Sequence, residues 1–381
     1  EFKFTDWLSF TTNISMDVTS VDGRDYNNPI VGDGYPAGRF SRWSTKTTSY
    51  TFNQLMNINK QIGGVHAFDF LLGHENYDYH TAGIDGMRIG QSFDGIFVYS
   101  NFGTINSLSS SLSQARTEGF FSRLNYDYNN KYMLSLSLRR DGNSKFPTDI
   151  RWENFWSVGA AWRIDREEFF QVPWVDMLKL RASYGYTGNS NGLGNYPYQA
   201  GYSIGYDDDT RPGVYLTALG SNTLTWETQK PLDIAVDFSF FKSRLYGTVE
   251  VFNRNSTGLI FSVPQPYQNG GTTAGPFTVA QNIGSLNNKG IELKLTGNII
   301  RKQDFSWNLT INATSYKNEL TKMPEETPAL TSSPFKREVG RSIYSFFTRD
   351  FYGIDPDNGD VLYKGVEVWD PASSKIIGKD T

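Results

Sequence analysis

His66, His74 and His80 are the only imidazoles in a chain that has no cysteine. All three fall at even positions of one stretch, so in extended backbone they share a face. At strand rise His66 and His74 stand about 26 Å apart, and His74 and His80 about 20 Å. Ligands of one ion sit within a few ångströms of it, so no metal site is expected here. Oxygen ligands occur in Asp207-Asp208-Asp209 and in Asp355-Pro-Asp-Asn-Gly-Asp360. There Asp207, Asp209, Asp355 and Asp357 are candidate calcium ligands. Neither run has EF-hand spacing, and Asp, Asn, Pro and Gly together are turn formers first. The chain holds no G-x-S-x-G, no phosphate-binding loop and no Cys/His pair. No catalytic residue and no enzymatic activity are therefore expected, and calcium is the one cofactor to consider.

Aromatic side chains offer a second kind of chemistry. Trp43, Trp152, Tyr196, Tyr198, Tyr202 and Tyr206 lie in stretches without clear strand patterning. Aromatic rings stack on sugars, while neighbouring Asn, Asp and Arg hydrogen-bond hydroxyls, so a glycan or peptide ligand is one expectation. The rival is that the same rings pack loop against loop, or against a partner protein. The four tyrosines share one parity and would line a single face of an extended loop ending in three aspartates.

The elements that must position these residues are strands. In 4–18 the even positions read Phe, Asp, Leu, Phe, Thr, Ile, Met, Val, and the odd ones are polar except for Trp7. The pattern returns in 226–240 and 305–316. Such alternation predicts eleven strands, near 4–20, 44–58, 65–80, 118–128, 131–141, 153–165, 178–187, 225–240, 245–255, 289–300 and 305–317. Connections alternate between short ones, such as Asn129–Asn130 and Phe241–Arg244, and long loops near 21–43, 81–117, 188–224, 256–288 and 318–381. Short turns on one side and long loops on the other are how an outer-membrane β-barrel divides periplasm from exterior. Aromatics beside the short turns, among them Tyr126, Tyr128, Tyr132, Phe240, Tyr246, Phe305 and Trp307, fit an interfacial girdle.

Bulk composition agrees. Aromatics make up 15% of the 381 residues, glycines number 36 and the net charge is -4. A sequence pI of about 5.6 disfavours a nucleic-acid partner. Mean hydropathy is -0.47, and no apolar run is long enough for a transmembrane helix. Barrel strands need apolar residues only at alternate positions, so a membrane barrel stays open. Eleven strands with apolar faces cannot end in bare edges. The chain therefore reads as an all-β internal piece of a larger barrel.

Several blocks resemble one family. Gly119-Phe-Phe-Ser-Arg-Leu-Asn-Tyr-Asp-Tyr-Asn-Asn-Lys-Tyr132, followed by Leu136-Ser-Leu-Arg-Arg-Asp-Gly-Asn-Ser-Lys-Phe146, is similar to a block of SusC/RagA-type TonB-dependent transporters. In the same order come Ala67–Tyr79, Phe155–Phe169, Leu178–Asn189, Leu224-Thr-Trp-Glu-Thr228, Asn282–Leu293 and Gly353–Asp360. The resemblance covers nearly all of 65–363. It implies an antiparallel barrel of about 22 strands, of which strands seven to seventeen would lie here, with the plug, the TonB-contacting segment and the C-terminal strands elsewhere. It also implies a multi-pass place in the outer membrane of a Bacteroidota-type bacterium, contact with its lipid, a SusD-like surface lipoprotein and a TonB–ExbB–ExbD motor. The expected function is import of glycans or peptides. Two alternatives remain: a SusC-like barrel serving as a structural subunit of an envelope assembly, and a soluble all-β surface binding protein.

Overall fold

The computed structural model describes residues 1–204, 211, 213–272, 275–324, 328–332, 334–364, 367–370 and 375–379. Twelve strands form one antiparallel sheet in strict chain order. They are β1 (Phe2–Thr5), β2 (Leu8–Asn27), β3 (Arg39–Ile62), β4 (His66–Gln91), β5 (Phe102–Tyr128) and β6 (Tyr132–Asn143), then β7 (Trp152–Arg163), β8 (Val175–Asn189), β9 (Glu227–Phe240), β10 (Leu245–Pro264), β11 (Thr278–Arg301) and β12 (Ser306–Lys322). Small two-stranded hairpins decorate the long connections, for example Gly201–Ile204 with Val214–Ala218. Among the described residues there is no α-helix, and no helix is long and apolar enough to cross a membrane.

The eleven expected strands are all present, with two differences. Residues 2–5 form a separate short strand that folds back through Asp6-Trp7, so Phe2 lies opposite Phe10. The alternation of 4–18 runs through that turn without a break, which hid it. The second difference is length. Pairing between β2 and β3 continues to Asn27 and Arg39, and between β4 and β5 to Gln91 and Phe102. Much of 21–43, 81–117 and 256–288, expected as loop, is strand. The stretch 81–117 is rich in Ser and Thr, and 21–27 is mostly polar, because sheet that projects into water needs no apolar face.

Register separates the two faces. One rung runs Ile58, Phe70, Leu124, Leu136, Val158, Tyr184 and Leu232. Others on the same face carry Tyr126, Leu134, Ala160, Ala182 and Ile234, and Val249, Leu293 and Ala313. The opposite face carries Asn57, Arg123, Ser137, Ser157, Asp233 and Glu292 among its members. A sheet that is apolar on one side and polar on the other can have lipid outside and water inside. The even positions of 8–18 and Leu309, Ile311 and Ala313 fall on the apolar side.

The short turns use conformations that few residues accept. Asn129 and Asn130 have φ of 53° and 51°, the left-handed pair of a tight hairpin that Asn tolerates. Around the turns, Tyr128 stacks on Tyr132 at 6.2 Å, and Trp174 lies 5.2 Å from Phe240. Lys60 sits over Trp7 at 4.7 Å. This is the aromatic girdle at the end of the barrel that carries the tight turns.

Candidate transport lumen and its mouth

The polar face is held by ion pairs that step from strand to strand. Arg181 of β8 reaches Asp237 of β9 at 3.3 Å and Glu250 of β10 at 2.6 Å, and Lys179 approaches the same Asp237 at 3.7 Å. Arg254 pairs with Asp233 at 3.0 Å. On the neighbouring strands Arg139 bridges Glu75 at 3.3 Å and Asp141 at 2.7 Å, and its guanidinium lies 5.0 Å from the Phe121 ring. Half-exposed pairs of this kind contribute about 1 kcal/mol or less each. Their effect is to fix where each charge stands along the wall. Lower down, Ala67, Ser135, Gly159, Ala161 and Ser183 floor a trough of about 690 Å3 on this face, bordered by Asp69, Asp127 and Arg181. Small side chains there leave room for something to lie against the wall.

The mouth is organised by two buried clusters. Phe146, Phe155, Leu224 and Trp226 form one, with Trp226 5.1 Å from Phe146 and 5.4 Å edge-on to Phe155. Trp226 Nε1 donates to the Arg151 carbonyl at 3.1 Å, tying 144–151 to the strand that follows the longest loop. Asn282 reinforces the arrangement. Its Nδ2 donates to the carbonyls of Thr225 and Gly258, and its Oδ1 accepts from Thr225 N. Glu227 accepts from Ile260 N and from Asn189 Nδ2. The second cluster stacks Phe40 on Phe102 at 5.4 Å, with Tyr26 against Phe97 and Tyr99 against Phe40.

The predicted contact residues do not converge. Tyr196 accepts a hydrogen bond from Gln114 N at 2.9 Å, capping β5 above the point where β6 ends. Asn195 donates to Ser113 beside it. The Tyr198 hydroxyl accepts from Gln199, and its carbonyl accepts from Ser221 N. Tyr202, opposite Leu216 in the small hairpin, is 65% exposed. Tyr206, Asp207 and Asp209 lie outside the described residues. Trp43 lies across from Gly23, where any Cβ would collide with its ring, and by register it shares the polar face. Trp152 belongs to the apolar face: it packs on Gly142, stacks on Phe120 at 6.3 Å and lies under Arg140. Asp355 and Asp357 form a turn in which the Asp355 carboxylate accepts from Asp357 N at 2.9 Å. Among the described residues no group of three or more His, Asp or Glu is placed to hold a metal. His74 instead bridges Gln54 and Glu118, and His66 meets the Tyr126 hydroxyl.

Sequence reasoning passed over Glu167, in the connection 164–174 beside the tight turns. Its carboxylate accepts from Lys131 at 2.6 Å, from the Tyr132 hydroxyl at 2.6 Å and from Trp162 Nε1 at 2.8 Å. The Lys131 ammonium first, then the Tyr132 hydroxyl, hold it down at about 2, against an ordinary value of 4.5. A carboxyl depressed in the fold stabilises above its ordinary value, and that contribution disappears as pH falls toward the depressed one. The clip is therefore complete above pH 4.5 and lost between there and about 2. The thermal midpoint of the wild-type barrel should fall through this window more steeply than that of Glu167→Gln, which has no charge to lose. Parallel pH profiles for the two proteins would refute the clip. The run Arg166-Glu-Glu-Phe169 beside a Lys-Tyr pair was the available signal.

Residues 1–368 match the family described as TonB dependent receptor-like, beta-barrel. The chain is 30% identical over 296 residues to the TonB-dependent receptor SusC of Bacteroides thetaiotaomicron, covering 74% of this chain and 28% of that protein. It is 32% identical over 299 residues to TonB-dependent receptor P26 of Formosa agariphila, covering 76% of this chain and 29% of that one. Two solved structures agree in fold. The RagAB peptide transporter superposes with a TM-score of 0.84 at 26% identity, over 95% of this chain and 40% of its own. The RagAB peptide importer in its closed-closed state gives 0.85 at 25% identity, over 100% and 42%. The chain spans about a third of the length of the curated relatives it matches. With its apolar face to lipid and its ion-paired face to the lumen, the chain belongs to the TonB-dependent receptor β-barrel family, in its SusC/RagA branch, and its place is the bacterial outer membrane.

Proposed function

We propose that this barrel imports oligomeric nutrients, glycans or peptides, across the outer membrane together with a SusD-like surface lipoprotein. The observation that carries the reading is the match in shape along 95–100% of the chain to the RagAB peptide importer, joined to kinship with SusC. Energy coupling through TonB–ExbB–ExbD belongs to this reading and falls to parts of the receptor upstream of these strands. Numbering β2–β12 as strands seven to seventeen of a barrel of about 22 belongs to it too. The polar, ion-paired wall suits a lumen that meets water, a plug and a hydrophilic cargo. The described part of the loop 190–226 is where lid contact fits best. Its base is anchored through Tyr196 and the buried Leu224, while Tyr202, Ile204 and Val214 project outward.

Trimming 200–220 from the full-length receptor leaves both anchors in place. Co-purification of the lipoprotein should then weaken about tenfold, equivalent to about 1.4 kcal/mol, while heat-modifiable migration of the barrel is unchanged. Undiminished co-purification alongside reduced uptake would make this loop a ligand site instead.

A further inference from the structure

One concavity of the sheet lies on its lipid side. Two successive rungs of the apolar face build it: Phe10, Met56, Leu72, Ser122, Leu138 and Trp156 in one, and Gln54, His74, Phe120, Arg140 and Asn154 in the next. It is an open groove of about 730 Å3. The cause is a single small residue. Ser122 stands directly between Leu72 and Leu138, where every flanking side chain is long, so the belt dips over its hydroxymethyl group.

Height along the barrel gives the groove a leaflet. Tyr128 and Tyr132 stack at the girdle beside the tight turn. Leu138 is six residues above that level, and Arg140 eight. At strand rise this is about 20 and 26 Å along the strand, or about 15 and 20 Å of height at a tilt of about 40°, against an apolar band about 25 Å tall. The groove thus occupies the outer half of the belt, and the long Arg140 side chain reaches toward its outer border. Lipid head groups begin at that border.

Charge then selects the occupant. Arg140 forms no ion pair and no side-chain hydrogen bond among the described residues; its guanidinium rests 5.7 Å from the Trp152 ring. The nearby carboxylates are engaged elsewhere, Glu118 by His74 and Asp141 by Arg139. Gln54 and Asn154 add amides to the rim. An aliphatic chain fits the floor, a phosphate fits the free guanidinium, and sugar hydroxyls fit the amides.

We infer that this groove is a binding site for a phosphorylated glycolipid of the outer leaflet, one acyl chain lying over Ser122 and the phosphate on Arg140. The inference is independent of what the barrel transports. It makes the receptor hold a lipid in place.

The test uses full-length receptor extracted from outer membranes in mild detergent. Native mass spectrometry reads bound lipid, and monophosphorylated lipid A is the probe added to delipidated protein. Wild type should retain a phosphoglycolipid adduct, and Ser122→Ala, which keeps the groove open, should match it. Ser122→Phe, or Ser122→Leu if the larger ring impairs folding, should cut retention about tenfold. Arg140→Gln should lose the preference for the phosphorylated probe over its dephosphorylated form. Each variant must show wild-type heat-modifiable migration to count. Equal retention by wild type and the groove-filling variant would overturn the proposal. So would a preference of the wild type for phosphatidylethanolamine, or a phosphate preference that survives Arg140→Gln.

Discussion

Leu136→Arg should destabilise the barrel by about 2–4 kcal/mol, whereas Ser137→Arg, one residue away, should cost about 1 kcal/mol or less. Leu136 lies in the rung with Leu124, Val158 and Tyr184, near the middle of the apolar belt. A guanidinium there is forced into hydrocarbon or must bend toward a head group. Ser137 points the other way, where its hydroxyl meets that of Ser157 at 2.6 Å and Arg123 and Arg139 are already accommodated. Unfolding of the full-length receptor from lipid vesicles in urea measures both. Equal costs at the two positions would mean that the faces are assigned the wrong way round.

The second large effect is expected at the mouth. Trp226→Ala removes a side chain that is 8% exposed, wedged between two phenylalanines and hydrogen-bonded to Arg151. Truncating a buried tryptophan costs about 3–5 kcal/mol. Here the loss falls on the loops 144–151 and 190–226, because the strands below have their own ladders. Hydrogen exchange in these loops should accelerate by about two to four orders of magnitude, the equivalent of that cost, with the spanning strands unchanged. Trp226→Phe, which keeps most of the apolar area and loses the donated bond, should cost only about 1 kcal/mol. Unaltered loop exchange in Trp226→Ala would show that the cluster does not hold them.

What could be read from the sequence divides at the membrane surface. Strands such as 131–141 and 305–317 announced themselves because lipid on one side and water on the other impose a two-residue period. Where β2–β5 rise clear of the bilayer, both faces meet water or loops. Stretches such as Gly23-Arg-Asp-Tyr-Asn27 then carry no period to detect. The short strand Phe2–Thr5 was masked for the opposite reason, since its alternation runs on into the next strand through Asp6-Trp7.

The site divides in the same way. Polar lumen positions were visible as polar residues, but the Arg181–Asp237–Glu250 relay depends on register between segments some sixty residues apart, which alternation does not encode. The loop aromatics were visible too, and their roles were not. Tyr196 caps a strand edge and Trp152 faces outward, because an aromatic ring on a loop serves packing as readily as recognition. Asn282 and Glu227 are ordinary strand residues by type, and only the fold makes them clasps.

The import reading meets its most direct test in the medium around growing cells. A strain lacking the gene for the full receptor is compared with its parent on mixed oligosaccharides and peptides, and depletion is followed by mass spectrometry. The expected result is a defined set of oligomers that the parent consumes and the deletion strain leaves, with the same set left by the parent when TonB is removed. Identical depletion by the parent, the receptor deletion and the TonB deletion would contradict energised import through this barrel.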